Sequence, residues 1–454
     1  MNSAAFPVAV LAPHLALGLG LFAALLAGMG RVGERPLRVL VVAALGAALA
    51  LVWAWHRTQT GGPLIRSDEF SWLGQLLCYG GAIPLALVLS GGDISAALLL
   101  GSALGMGLLA VSGNLLMLFI GLQFMSLPGY VLVSRQGRPR SYEGAVKYFF
   151  AGGTASALFL MGLALHYADT RSLALEAGSG VLSEAGLALM GAAALFKIGC
   201  VPMHFWLPDV YESSSPELAG FFSTSMKAAG FLLLMRLVAL GPDSALAGSL
   251  PALGALTMIF GAILALRQQG LQRLFAYSSI SHAGNLILGV GAWAAQGARA
   301  AGAAPVFFYL AVYLLMSNGV FQFLRASSAV SRGDLRGLGQ RDPSQAAAAS
   351  ALLLSLAGIP PTGGFLAKFL IFWELVKAGL YGALAVAGLA TLVSLGYYLG
   401  LVRDMVFEEG DRLDRARQAS LSRSLVWVCA AGALMLGLGP SLVSALARAL
   451  GGGG

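Results

Sequence analysis

Apolar runs of membrane-spanning length fill almost the whole chain and leave no interval large enough for a soluble domain. A helical span needs about 20 predominantly apolar residues. Runs of that kind fall at approximately 7–29, 37–55, 70–90, 95–112, 114–133, 143–166, 184–206, 216–240, 249–267, 274–295, 304–326, 345–375, 379–403 and 422–447, fourteen in all. Hydrophobic residues make up 58% of the chain and charged residues 11%, with a mean hydropathy of +0.80. Soluble domains carry about 25% charged residues. The sequence therefore predicts an all-α polytopic membrane protein, because helices satisfy their own backbone groups inside a bilayer. The opening MNSAAFPVAV lacks the basic segment of a cleaved signal, so the first run is expected to remain as a span.

The net charge of +8 does not point to nucleic acid, because the basic residues are spread over short loops. Loops joining an odd run to the next even one hold seventeen, and the opposite side holds six. The positive-inside rule then places the odd-to-even loops in the cytoplasm and both termini outside. Cys78, Cys200 and Cys429 lie in apolar runs, with neither metal-ligand spacing nor a disulfide framework. No metal, cofactor loop or hydrolytic motif is legible.

Five basic residues remain inside the runs: Lys147, Lys197, Lys227, Arg236 and Lys368. Of five lysines in the chain, four are intramembrane. Each costs roughly 2.5–3.5 kcal/mol at a helix centre, so they must face protein or water. A desolvated lysine can release its proton, whereas arginine stays charged. A row of lysines linked by hydroxyls and water can therefore relay protons. Simpler roles compete at each position. Lys147 and Arg236 lie near span ends and can snorkel, Lys227 can be a structural partner, and Lys368 can cap a helix break. Two runs are interrupted. "FKIGCVPMHFWLPDVYESSSPE" carries Pro202, Pro208 and Pro216 after Lys197, and "LAGIPPTGGFLAKF" carries Pro360 and Pro361 before Lys368. Proline and glycine bend helices and free backbone carbonyls. Paired breaks five runs apart predict two inverted five-helix repeats, spans 4–8 and 9–13. The expected organisation is 1–110 for the N-terminal helices, 95–240 and 249–408 for the repeats, and 409–454 for the last loop and helix. Span 10 adds His282 among hydroxyl residues, a proton carrier or a neutral bridging histidine; His204 and His14 carry weaker signals. All twenty Asp and Glu residues fall in loops or at span ends.

Seven stretches together resemble a known family: "NLLMLFIGLQFMSLPGYVL", "EGAVKYFFAGGTASALFLMGLALHY", "FKIGCVPMHFWLPDVYE", "STSMKAAGF", "LFAYSSISHAG", "AGIPPTGGFLAKF" and "GYYLGLV". They resemble, in order, the antiporter-like subunits of respiratory complex I, the proton-pumping NADH:quinone oxidoreductase. The run "FYLAVYLLMSNGVF" is most similar to that of subunit N. The resemblance implies that Lys197 is the central proton carrier, that Lys227 links it to the input half-channel, that Lys147 stands near the cytoplasmic inlet, and that Lys368 leads to the exit. It implies partners among other membrane subunits, a bacterial inner-membrane location, and no cofactor in this chain. It also marks two departures. Gln123 stands where the family keeps a glutamate, and "SSSPEL" replaces the family's "GAPTPV". A non-pumping structural subunit, or the equivalent subunit of a membrane-bound hydrogenase or multisubunit Na⁺/H⁺ antiporter, remains open beside the pumping reading.

Overall fold

The computed structural model describes residues 8–30, 32–56, 60–409, 420–439 and 441–451. Arg31, Arg57, Arg412, Arg415 and Arg417, which enter the loop-charge argument, lie outside the described residues. The described chain is almost entirely helical, apart from a two-residue antiparallel pairing of Thr60–Gly61 with Arg66–Ser67. Twelve helices among the described residues are long and apolar enough to cross a membrane.

The runs expected at 274–295 and 345–375 are absent from those twelve, each for a physical reason. Helix Leu271–Ala295 is long enough, but Ser278, Ser279, Ser281, His282 and Asn285 lower its hydropathy. The other run is two helices, Pro343–Ala357 and Gly363–Lys377, separated by an unwound turn. The last expected run, 422–447, also divides, into Ser420–Leu438 and Ser441–Leu450.

The chain forms two compact units. One comprises Met1–Lys197 with Ser225–Leu240, and the other Ile198–Thr224 with Gly241–Gly454. In the first unit, Asp68 and Asn114 cap helices Glu69–Val88 and Leu115–Ser134 by accepting from Ser71 N and Met117 N. Side-chain caps of this kind satisfy amides that have no partner within the helix. Arg236 was expected to snorkel from its span end. It is instead buried and forms a two-point ion pair with Asp68, at 2.5 and 2.6 Å, and it also donates to Ser71 Oγ. Two charges that would each be costly alone are thus neutralised together.

Both interrupted runs stop at a glycine with φ of +86°, Gly199 and Gly358, where the left-handed backbone suits glycine. The turn after Ile198 holds Pro202, and helix Trp206–Ser213 then begins. Pro208, expected as part of that break, lies inside this second helix. Its place in the first turn explains the tolerance, since no helical acceptor exists there for the missing N–H. Pro360 and Pro361 lie in the other turn. The peptide bonds Val201–Pro202 and Pro360–Pro361 are cis. A further irregularity is the π turn Phe222–Met226, immediately before Lys227.

The second break depends on Gly364. A Cβ there would strike the carbonyl oxygen of Ser355, on the preceding half-helix. Gly364→Ala is expected to force the two halves apart and to cost about 1–3 kcal/mol, the range for overpacking. A lowered thermal midpoint of the purified protein checks this.

Candidate functional site: buried lysines in two polar clusters

In the first unit, Lys197 sits in the last turn of helix Val181–Ile198 and is 5% exposed. Its ammonium donates to Ser126 Oγ at 2.9 Å and to Tyr148 Oη at 2.8 Å. Ser126 donates its own proton to Leu122 O at 2.6 Å, so its oxygen lone pairs face the ammonium. The charge also stands 5.1 Å from the centre of the Tyr148 ring, within cation–π range. All of these acceptors are neutral. Gln123 lines the same small cavity as Ser126, Ser156 and Lys197. Gln123 and Lys197 are not bonded to each other: Gln123 Oε1 accepts from Ser156 Oγ at 2.8 Å.

Lys227 opens the regular helix Lys227–Leu240 and is 2% exposed. A π turn rotates the residues that follow it relative to an unbroken helix, and such turns recur at functional sites. Here it sets the facing of Lys227. Lys147, by contrast, points outward. Its side chain is 47% exposed and pairs with Glu143 one turn earlier at 2.8 Å. The inward position belongs to the next residue, Tyr148, which reaches Lys197. One residue is about 100° of helix rotation, enough to exchange an outer face for an inner one.

In the second unit, Lys368 is 6% exposed and donates to Leu356 O and Ala357 O, both at 2.9 Å. These are the last two carbonyls of half-helix Pro343–Ala357. The two before them, Leu354 O and Ser355 O, accept from Gly358 N. The four acceptors that a helix end leaves open are therefore all satisfied. The ammonium also meets the negative end of the helix dipole. The capping role considered for Lys368 is real, and it fixes where the charge stands.

Lys368 lines a small cavity with His282, Ser281, Asn285, Tyr309, Ser394 and Tyr397. His282 is held at both ring nitrogens, by Tyr309 Oη at 2.8 Å and Tyr398 Oη at 3.0 Å. A neutral imidazole donates through one nitrogen and accepts through the other, so His282 joins the two tyrosines into one chain. Tyr398 continues that chain to Ser278. A second cluster in this unit centres on Ser223, which bonds Ser317 at 2.7 Å, Tyr313 at 2.8 Å and Ser279 at 3.3 Å. The Tyr313 ring lies 5.1 Å from that of His282.

Sequence reasoning found the lysines and His282 but missed the hydroxyls that hold Lys197 and His282, namely Ser126, Tyr148, Tyr309 and Tyr398, and the separate cluster at Ser223. The signal for Ser126 was its position three residues after Gln123. No comparable signal marks Tyr309 or Tyr398, because tyrosines in apolar runs are usually packing residues. Among the described residues, no group of three or more His, Cys, Asp or Glu side chains could hold a metal ion.

The NADH:quinone oxidoreductase/Mrp antiporter transmembrane family matches residues 112–394. NADH-quinone oxidoreductase subunit N of Syntrophotalea carbinolica is 37% identical, over 89% of this chain and 91% of that protein. NADH-quinone oxidoreductase subunit 14 of Thermus thermophilus is 39% identical, over 88% and 91%. A chain in the structure of Thermus thermophilus respiratory complex I with bound aureothin superposes with a TM-score of 0.87. It is 35% identical, over 97% of this chain and all of that one. A chain of the Mrp complex from Dietzia superposes equally well at 21% identity, which shows the shared fold. The chain belongs to the NADH:quinone oxidoreductase/Mrp antiporter transmembrane family and, within it, is most like subunit N of complex I.

Proposed function

We propose that this membrane-arm subunit translocates protons through its buried lysines, coupled to electron transfer carried out by other subunits of a complex I-type NADH:quinone oxidoreductase. The observation that carries this reading is the setting of Lys197 and Lys368: both ammonium groups are buried, and both are held by neutral oxygens rather than by carboxylates. Without a fixed counter-charge, the charged and neutral forms of a desolvated lysine lie closer in free energy. Hydroxyls such as Tyr148 and Ser126 accept a hydrogen bond from the ammonium and can donate one to the neutral amine, so they serve both states. Lys197 and Lys227 carry the proton in the first unit. Lys368, with the His282 chain beside it, carries it in the second.

The two repeats, spans 4–8 and 9–13 of a fourteen-span chain, belong to the same proposal. The matching glycine ends at Gly199 and Gly358, each near a lysine, support them. The partners are the neighbouring membrane subunits and the lipid of a bacterial inner membrane, with both termini on the outer side. Relatives at 34–39% identity carry the subunit N or subunit 14 description, which favours a complex I assembly over a hydrogenase or an antiporter. Lys147 has a secondary place in this scheme, as an outward-facing residue beside the cluster rather than a member of it.

One observation favours the non-pumping alternative. Gln123 carries no charge and bonds Ser156 instead of Lys197. Gln123→Glu therefore tests the scheme. A carboxylate in the cavity that Lys197 lines would favour the charged lysine. The variant is expected to assemble normally and to shift the pH profile of proton translocation toward the alkaline side. A pH profile identical to that of the parent protein would show that the cavity takes no part in transport.

A further inference from the structure

A second polar feature lies in the N-terminal helices of the first unit, mostly outside the residues that the family matches. Asp68, Ser71, Gln75 and Tyr79 follow one another at intervals of three, four and four residues, which places them on one face of helix Glu69–Val88. Ser71, Gln75 and Tyr79 are buried. Gln75 Nε2 donates to Ser71 O at 3.2 Å, but Gln75 Oε1 and Tyr79 Oη have no hydrogen-bond partner in the protein.

The inner part of this helix reaches the π turn. Cys78 Sγ donates to Ser225 O at 3.7 Å, and Ser225 is the second residue before Lys227. The hydroxyl of Ser225 is buried and likewise has no protein partner. His14 approaches from helix Val8–Met29. The point that a Cβ on Gly107 would occupy lies within 3.0 Å of both the Tyr79 hydroxyl and His14 Nε2. His14 is buried, with the backbone of Val10 and Gly107 as the hydrogen-bonding groups beside its ring.

Each buried polar group left without a hydrogen bond costs about 1–3 kcal/mol. Three side chains in that condition, Gln75 and Tyr79 on helix Glu69–Val88 and Ser225 on the π turn that this helix reaches, call for water molecules that bond to them. We propose that they line a hydrated polar file for protons, running along helix Glu69–Val88 from the Asp68–Arg236 pair to the π turn that precedes Lys227. Its transport role rests on the translocation reading of Lys227. A proton released by Lys227 would pass from one water to the next, each returning to neutral as it hands the proton on. Gln75 and Tyr79 orient the waters and need not titrate. Asp68, partly open to solvent beside Arg66, is the mouth.

The test is thiol accessibility in the assembled complex. Gln75→Cys, Tyr79→Cys and, as a dry control on the opposite side of the same helix, Leu73→Cys are made with Cys78, Cys200 and Cys429 replaced by alanine. Reaction with a membrane-impermeant methanethiosulfonate, added at the Asp68 side, is read by mass spectrometry of this chain. Cysteines in the file should react on the order of tenfold faster than Leu73→Cys, because the reactive thiolate requires water. Rates at Gln75 and Tyr79 equal to that of the control would overturn the file. Tyr79→Phe and Gln75→Leu, which conserve volume, should assemble and slow translocation several-fold; full translocation in both would also overturn it. The labelling pattern does not depend on Lys197, so a pumping reading that fails at Lys197→Ala would leave it unchanged.

Discussion

Arg236→Ala should destabilise the first unit by about 3–5 kcal/mol, the range for removing one partner of a buried ion pair. The size of the effect follows from what is left behind. Asp68 would keep its place at the start of helix Glu69–Val88, largely buried, having lost both of its short bonds to the guanidinium. Arg66, at 2.9 Å, would remain, but its side chain is half exposed and its attraction is weakened by solvent. The carboxylate is subject to two opposing effects. Burial pushes its pKa up, and the charge and hydrogen bonds of Arg236 outweigh burial and hold it below the usual carboxylate range. A depressed value means that the stabilisation is fully present above the ordinary carboxylate pKa of about 4 and is lost as pH falls through the depressed one. Thermal unfolding followed from neutral pH into the acid range should therefore show a decline that Asp68→Asn abolishes. Asp68→Asn should itself be costly at neutral pH, because it strands the buried arginine. A melting temperature unmoved by Arg236→Ala would show that the pair contributes nothing net.

Lys197→Ala should lower coupled proton translocation on the order of tenfold or more, in keeping with the loss of a positioned proton-transfer group. The fold should tolerate the change. Ser126 keeps its bond to Leu122 O, Tyr148 is left with a neutral hydroxyl, and a buried charge disappears rather than being exposed. Lys197→Arg separates two roles. Arginine restores the charge and the hydrogen bonds but does not give up its proton in a protein. If Lys197 serves only as a fixed charge, arginine rescues transport. If it carries the proton, arginine does not.

Legibility differed with the range of the interaction. Apolar run length gives the all-helical membrane fold, because the bilayer imposes one rule on every span. Glycine and proline punctuate locally, so the stretches around Gly199 and Gly358 could be read one residue at a time. Rotation about a helix axis was not legible. Lys147 was singled out as a lysine inside an apolar run, yet the side chain that reaches Lys197 is that of its neighbour Tyr148. Long-range pairing was not legible either. Asp68 and Arg236 are separated by 168 positions, and each alone resembles a residue at a span end. Gln123 stood out as the residue that replaces the family's glutamate. Only the fold shows that it lines the cavity of Lys197 without bonding to it.

The central claim is that the buried lysines carry protons, and the most direct measurement counts the protons moved per pair of electrons delivered to quinone. It is made on proteoliposomes holding the intact complex, with and without Lys197→Ala in this chain. The account predicts that electron transfer persists while fewer protons cross per electron pair. An unchanged proton count, with the altered subunit in place and electron transfer intact, would contradict it.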